Sequence, residues 1–311
     1  MIDPAVQSLL DRIAQRGQSP THLMTPEEAR RTSRERRPLS QPVPPDIGLA
    51  RELDGPVPMR LFRPLGSVVN ERLPALVYFH GGGWMLGDLD SHDTLCRELC
   101  NSSGCVVIAV EYRLAPEHRF PSAVDDALAA TRWVHEAAHM LNIDAARMAV
   151  GGDSAGGNLA AVVAIAARDA GDLPIAYQLL IYPVTDLRAR SQSHTTNGEG
   201  YLITSQALRY FNDNYLSTPD QVEDWRASPL LAADLSHLPP ALVLTAGFDP
   251  LHDEGLAYAH RLSAAGNIAS HVCFERQIHG FITMGNLIPE ANTAVTLCAA
   301  ELRRALHRRL P

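Results

Sequence analysis

The residues best placed to do chemistry lie in the run Arg147-Met148-Ala149-Val150-Gly151-Gly152-Asp153-Ser154-Ala155-Gly156-Gly157-Asn158-Leu159, where an apolar stretch passes straight into another through G-x-S-x-G. A serine hydroxyl is a weak nucleophile until it is presented at a sharp bend, where a base can reach it and backbone strain is tolerated. Glycines at 152 and 156 remove side chains that would collide with neighbouring backbone as the chain turns. The next backbone N–H, that of Ala155, then points at the carbonyl under attack. G-x-S-x-G alone is common by chance. A strand pattern before it and an apolar helix pattern after it supply the context the motif requires.

Attack on a carbonyl needs donors aimed at the oxygen that becomes negative, and losing one typically costs about 3 kcal/mol. His80-Gly81-Gly82-Gly83-Trp84 follows the apolar run Ala75 to Phe79, and a glycine run there lets bare N–H groups approach a ligand. It is not a phosphate loop, because no Gly-Lys-Ser/Thr follows and Trp84 stands where that helix would begin. The base and acid are expected beyond later strands. Asp249 follows Ala241 to Ala246 within Gly247-Phe248-Asp249-Pro250-Leu251, and His279 follows Ser270 to Glu275 within Ile278-His279-Gly280-Phe281. With an ordinary pKa near 6.5, a histidine takes the serine proton at neutral pH and returns it to the leaving group, while the acid fixes its tautomer. Asp253 and Glu275 are rival acids.

One motif competes. His135-Glu136-Ala137-Ala138-His139 matches H-E-x-x-H, which on a helix supplies two zinc ligands and a general base. The helix in question should cross along a sheet face, away from the strand ends, and no third ligand is evident downstream, so no metal site is expected.

These groups need a scaffold. Short β-branched runs alternate with longer amphipathic stretches, the pattern of a mostly parallel sheet wrapped by helices. Strands are predicted at Ala50 to Leu53 and Val57 to Phe62, which form a hairpin, then at Ala75 to Phe79, Val106 to Glu111, Met148 to Gly151, Tyr177 to Tyr182, Ala241 to Ala246 and Ser270 to Glu275. Helices are predicted near Thr94 to Ser102, Val124 to Leu141, Gly156 to Asp169, Asp253 to Ala265 and Ala291 to Arg309. Residues 1–46 and 186–225 fall outside this alternation. The first holds a capping-box start at Thr25, Pro26 and Glu28 and a proline-rich break from Pro38 to Pro45; the second turns helical from Thr204, with Leu208, Phe211 and Tyr215 on one stripe. Both are expected to fold together as helical additions over the strand ends, leaving 47–185 and 226–311 as the catalytic core.

Composition excludes several classes. With 46% apolar and 20% charged residues and no long apolar run, membrane insertion is not expected, and a net charge of −8 argues against nucleic acid. Arg30, Arg31, Arg34, Arg36 and Arg37 are read as a solvated helix face. Met1-Ile2-Asp3-Pro4 shows no basic, apolar secretory leader, so a cytoplasmic location is predicted. The odd count of five cysteines, none spaced Cys-x-x-Cys, predicts buried free thiols.

Taken together, His80 to Trp84, Tyr112-Arg113-Leu114-Ala115-Pro116-Glu117, Gly152 to Gly157, Asp249-Pro250-Leu251 with Asp253-Glu254-Gly255, and His279-Gly280-Phe281 resemble the hormone-sensitive-lipase-like family of α/β-hydrolases, particularly its microbial carboxylesterases. The likeness spans most of the chain. It implies an eight-stranded, mostly parallel α/β-hydrolase sheet under a helical cap and a Ser154, His279, Asp249 triad. It implies oxyanion donors at Gly82, Gly83 and Ala155, and cleavage of short- to medium-chain esters through an acyl-enzyme without a cofactor. Trp84, Tyr201 and Phe211 would then line the substrate pocket. The chain departs from the family at Arg119, where proline is usual after Glu-His. Related plant hormone receptors keep the fold and lack the catalytic histidine, which makes a non-catalytic small-molecule receptor the main alternative and a zinc peptidase through His135 and His139 a lesser one. The oligomeric state stays open, a homodimer included.

Overall fold

The computed structural model describes residues 1–17, 19–68 and 70–307 of the 311. Its strands are β1 (Leu49–Asp54), β2 (Pro58–Arg63), β3 (Leu73–Phe79), β4 (Val106–Val110), β5 (Ile143–Asp153), β6 (Tyr177–Ile181), β7 (Ala241–Phe248) and β8 (Ala269–Ile278). They form one sheet in the order β1-β2-β4-β3-β5-β6-β7-β8, in which β1, β2 and β4 pair antiparallel and every later pair is parallel. Every residue of β3 and β4 is buried, as strands covered on both faces must be.

Period-two alternation divides the core between the two faces. Ala75, Val77 and Phe79 of β3 point into the layer packed by α4 (Ser122–Glu136), α5 (Ala155–Ala170) and α8 (His252–Ala264). Leu76 and Tyr78 point the other way, against α1 (Pro4–Arg16), α3 (Asp93–Ser103) and α9 (Glu290–Leu306). The remaining helices, α2 (Pro26–Ser40), α6 (Ser193–Thr196) and α7 (Ser205–Tyr215), belong to the two stretches outside the alternation. Leu208 and Tyr215 of α7 join the first layer, while Phe211 meets Ala29 of α2 and Met85 in a small separate cluster.

Several expectations change. Strand β5 starts at Ile143 rather than Met148, and β7 and β8 run on to Phe248 and Ile278, to the threshold of the proposed acid and base. Helix α1 was not expected, because all but one of its residues are at least partly exposed; Asp3 caps Ala5 N–H at 2.8 Å, and Val6 alone is buried. Helix α2 starts at the predicted capping box but continues through Pro38, where a break was expected. A proline in the last turn removes only one internal bond, and Gln41 N–H still closes on Arg37 C=O at 3.1 Å. Helix α4 ends at Glu136 instead of Leu141. The far end of the helix predicted to Arg309 lies outside the described residues, beyond Leu306 and His307.

Candidate active site

Strand β5 delivers the chain to Ser154 at φ 57° and ψ −119°, a left-handed conformation that a side-chain-bearing residue adopts only under constraint. The constraint is visible. Ser154 N–H donates to Ile181 C=O at 2.9 Å, and its own carbonyl accepts Asn158 N–H at 3.0 Å to open α5. A Cβ at Gly156 would stand 1.9 Å from the carbonyl oxygen of Phe79, so only glycine lets α5 pass this close to β3.

The ends of β8 and β7 meet this elbow. His279 Nε2 lies 2.9 Å from Ser154 Oγ, and Nδ1 lies 2.7 Å from Asp249 Oδ2. A carboxylate only accepts, so Nδ1 carries the proton and Nε2 is free to accept from the serine hydroxyl. Asp249 is fully buried, and its other oxygen accepts Leu251 N–H at 2.8 Å. Burial disfavours charge on His279, but the charge and hydrogen bond of Asp249 outweigh it and leave the pKa above the ordinary histidine value. The rival acids stand elsewhere. Asp253 contacts His252 at 2.9 Å and accepts Ser193 N–H, and Glu275 is exposed.

The glycine loop after β3 is tied to the elbow by Asp153, whose importance the sequence did not reveal. Asp153 Oδ1 accepts Gly81 N–H at 3.0 Å and Tyr78 O–H at 2.8 Å, and His92 Nε2 lies 3.0 Å away. Burial would raise the pKa of this carboxyl, yet His92 and Tyr78 hold it below the usual range, so it stays ionised. His80, buried beside His92 and stacked on Tyr112 at 4.3 Å, is pushed down to about 4 and is neutral. The loop folds back on itself through Gly82 C=O, which accepts Leu86 N–H at 2.8 Å. Among the described residues the N–H groups of Gly82, Gly83 and Ala155 have no hydrogen-bond acceptor, and they remain available to a ligand.

Ser154 and His279 open into a cavity of about 690 Å³ bounded by α2, α7 and the loop, with Gly83, Leu208 and Phe211 on its wall. Phe211 lies directly over Gly83, whose Cβ would come 2.4 Å from the ring. Trp84 borders the cavity, but its ring is 1% exposed and stacks on Tyr215 at 4.1 Å. Tyr201 does not reach the wall. It packs on Phe248 at 5.1 Å, and its neighbours Leu202 and Ile203 line the cavity instead.

Two other sequence readings resolve differently. The H-E-x-x-H motif is not on continuous helix, since α4 ends at Glu136 and His139 is exposed beyond it; among the described residues no group of three or more His, Cys, Asp or Glu is arranged to hold a metal. Arg31 and Arg34 are exposed, as a solvated face requires, but Arg30 and Arg37 are not part of one. Arg30 binds Met85 C=O, Ala115 C=O and Glu117, and Arg37 binds Asp88. Arg36 is half-buried and lines the cavity. All five cysteines are free, and all but Cys273 are buried.

A family model described as alpha/beta hydrolase fold matches residues 76–283. The chain is 42% identical over 295 residues to an ethyl acetate hydrolase of Pseudomonas putida, covering 92% of each chain. It is 44% identical over 261 residues to the carboxylic ester hydrolase LipN of Mycobacterium tuberculosis, covering 80% of this chain and 68% of that one. The solved structure of the ester-hydrolase EH1AB1 from the metagenome of Lake Arreo superposes with a TM-score of 0.95 at 40% identity, over 99% of this chain and all of the other. No helix among the described residues is long and apolar enough to cross a membrane. A strained serine elbow, an ordered glycine loop and late-strand acid and base, on a sheet that superposes end to end with solved relatives, place this chain in the hormone-sensitive-lipase-like family of α/β-hydrolases.

Proposed function

We propose that this chain hydrolyses carboxylic esters of short to medium acyl length, with Ser154 as nucleophile, His279 as general base and acid, and Asp249 as its orienting carboxylate. Ser154 Oγ attacks the ester carbon as its proton passes to His279 Nε2. The negative oxygen so formed is received by the N–H groups of Gly82, Gly83 and Ala155. The C–O bond to the alcohol then breaks, His279 returns the proton to the departing oxygen, and the acyl group stays on Ser154. Water repeats the sequence in reverse, giving its proton to His279 and releasing the acid. The observation that carries this reading is the contiguous contact from Ser154 Oγ through the imidazole to a buried carboxylate.

The cap is assigned to residues 1–46 and 186–225 over residues 47–185 and 226–311, although within the first segment α1 packs on the second face of the sheet and only the stretch from Thr21 to Gln41 walls the cavity. Two observations support that role: Tyr210 O–H of α7 donates to Met24 C=O at 2.8 Å, and both segments contribute to the cavity wall. A cavity of about 690 Å³ suits a small ester, and Phe211 over the oxyanion loop limits the acyl group. The five free thiols favour a reducing compartment such as the cytoplasm.

The test is a panel of p-nitrophenyl esters of increasing acyl length, run on the native chain and on Ser154→Ala, with and without a serine-directed organophosphate. Fast turnover of short esters, abolished by the organophosphate and lowered about 10,000-fold or more in Ser154→Ala, is the expected result. Turnover that survives in a folded Ser154→Ala would exclude this nucleophile, and no turnover of any ester would favour a receptor.

A further inference from the structure

Three successive glycines have more backbone freedom than any other tripeptide, so the direction of their N–H groups is set by whatever grips the loop from outside. Gly82 and Gly83 sit at φ 126° and 60°, where little but glycine is at ease. Asp153 grips the loop at Gly81, and the same carboxylate oxygen faces His92 Nε2 at 3.0 Å, a polar contact without the alignment of a hydrogen bond. His92 is 7% exposed and lies outside the triad. Its other ring nitrogen, Nδ1, lies 2.9 Å from Ser91 Oγ. Ser91 in turn closes a tight turn on Asp88: its N–H donates to Asp88 Oδ1 at 2.7 Å, and its hydroxyl accepts Asp88 N–H at 2.9 Å.

Helix α2 holds that turn. Arg37 Nη2 donates to the two oxygens of Asp88 at 2.8 and 3.0 Å, and Gln41 Nε2, just past the helix end, donates to Ser91 C=O at 2.6 Å. The Arg37 and Asp88 side chains are only 19% and 29% exposed, so water screens this pair less than one on the open surface. A line of polar contacts therefore runs from Arg37 through Asp88, Ser91, His92 and Asp153 to Gly81, with no link longer than 3.0 Å. Anchoring α2 needs only its first link. The remaining links lead inward, through a buried imidazole, to the loop that carries the Gly82 and Gly83 N–H groups.

We propose that Arg37 and His92 are positioning residues for the oxyanion hole: acting through Asp88 and Asp153, they hold the glycine loop in the geometry that receives the developing charge. This rests on the ester-hydrolase reading above. Helix α2 is thereby coupled to the chemical step as well as to the cavity wall, because donors stabilise the negative oxygen only when they are aimed at it in advance.

The test uses p-nitrophenyl butyrate. Arg37→Gln should lower kcat about tenfold with KM held within about twofold, and Arg37→Lys, which keeps a cation for Asp88, should restore most of the loss. His92→Gln should lower kcat roughly 10- to 100-fold, and the Arg37→Gln, His92→Gln double variant should be no slower than His92→Gln alone, since both cut one line. Arg31→Gln, exposed on the same helix, should match the native chain. In parallel, amide hydrogen exchange is followed on peptides spanning residues 80–87, where the N–H groups of Gly81, Met85 and Leu86 are hydrogen-bonded. It should quicken in Arg37→Gln and His92→Gln and keep the native rate in Arg31→Gln. Native kcat and native exchange in Arg37→Gln, a rise in KM alone, or fully additive losses in the double variant would overturn the coupling. Quickened exchange in Arg37→Gln, with no ester turned over by the native chain, would uphold the coupling while defeating the hydrolase reading.

Discussion

His279 makes the pH behaviour of the site predictable in sign. Its pKa lies above 6.5 because Asp249 stabilises the imidazolium more than burial penalises it, and only the neutral ring accepts the Ser154 proton. The kcat/KM of a neutral ester should therefore fall with a single acid limb centred above 6.5, and a flat profile from pH 5 to 8 would rule out a histidine base. Stability runs the opposite way. A raised folded pKa means that the charged imidazole helps the fold below its unfolded pKa, and that contribution disappears as pH rises through the folded value. Asp249→Asn should keep the protein folded, put the wrong tautomer at Nε2 and lower kcat by about 10,000-fold, to be read with p-nitrophenyl butyrate.

Arginines at the ends of elements decide how the outer helices meet the core. Arg119, the departure from the family pattern, donates to the carbonyls of Asp213 and Leu216 at 2.8 and 2.5 Å, where α7 ends, and so meets the negative end of that helix dipole. Arg30 ties α2 to two core carbonyls and to Glu117; because Glu117 is half exposed, the carbonyl bonds matter most. Arg30→Ala should cost about 1–3 kcal/mol in urea unfolding and raise KM more than it lowers kcat, since α2 walls the cavity. A kcat loss with unchanged KM would separate α2 from substrate binding. The same scale disposes of the zinc motif. Helix α4 stops at Glu136, so His135 and His139 lack the single helical face that would aim both at one metal, and activity should survive prolonged chelation. Strand identities were largely legible because β-branched apolar runs announce buried strands. Boundaries were not: Asp144 and Arg147 put two charges into the first half of β5, and α1 buries a single residue.

In the whole molecule, one sheet with a core on each face carries the load. Leu76 of β3, fully buried in the middle of the sheet and pressed near Gly151, should cost about 2–5 kcal/mol when changed to Ala, measured by denaturant unfolding, with the site itself intact in what remains folded. The two faces have different tasks. The α4, α5 and α8 face includes Trp84 and Tyr215 and so continues into the wall of the cavity, whereas the α1, α3 and α9 face is closed by Cys96, Cys100, Cys105 and Cys298 acting as small apolar residues.

What the amino-acid order determined by itself was the set of reactive groups and the fold that presents them. A nucleophile elbow, a glycine loop and late-strand acid and base are local patterns, each forced by backbone conformation within a few residues. What only the tertiary structure decided were the relations across the chain. It made Asp153 the clamp of the oxyanion loop and turned Arg30 and Arg37 from a solvated stripe into anchors. It also kept Phe211, but not Tyr201, on the wall of the cavity at Ser154. Such roles depend on which distant backbone a side chain happens to face, and a charge or a ring carries no mark of its partner until the sheet has closed around it.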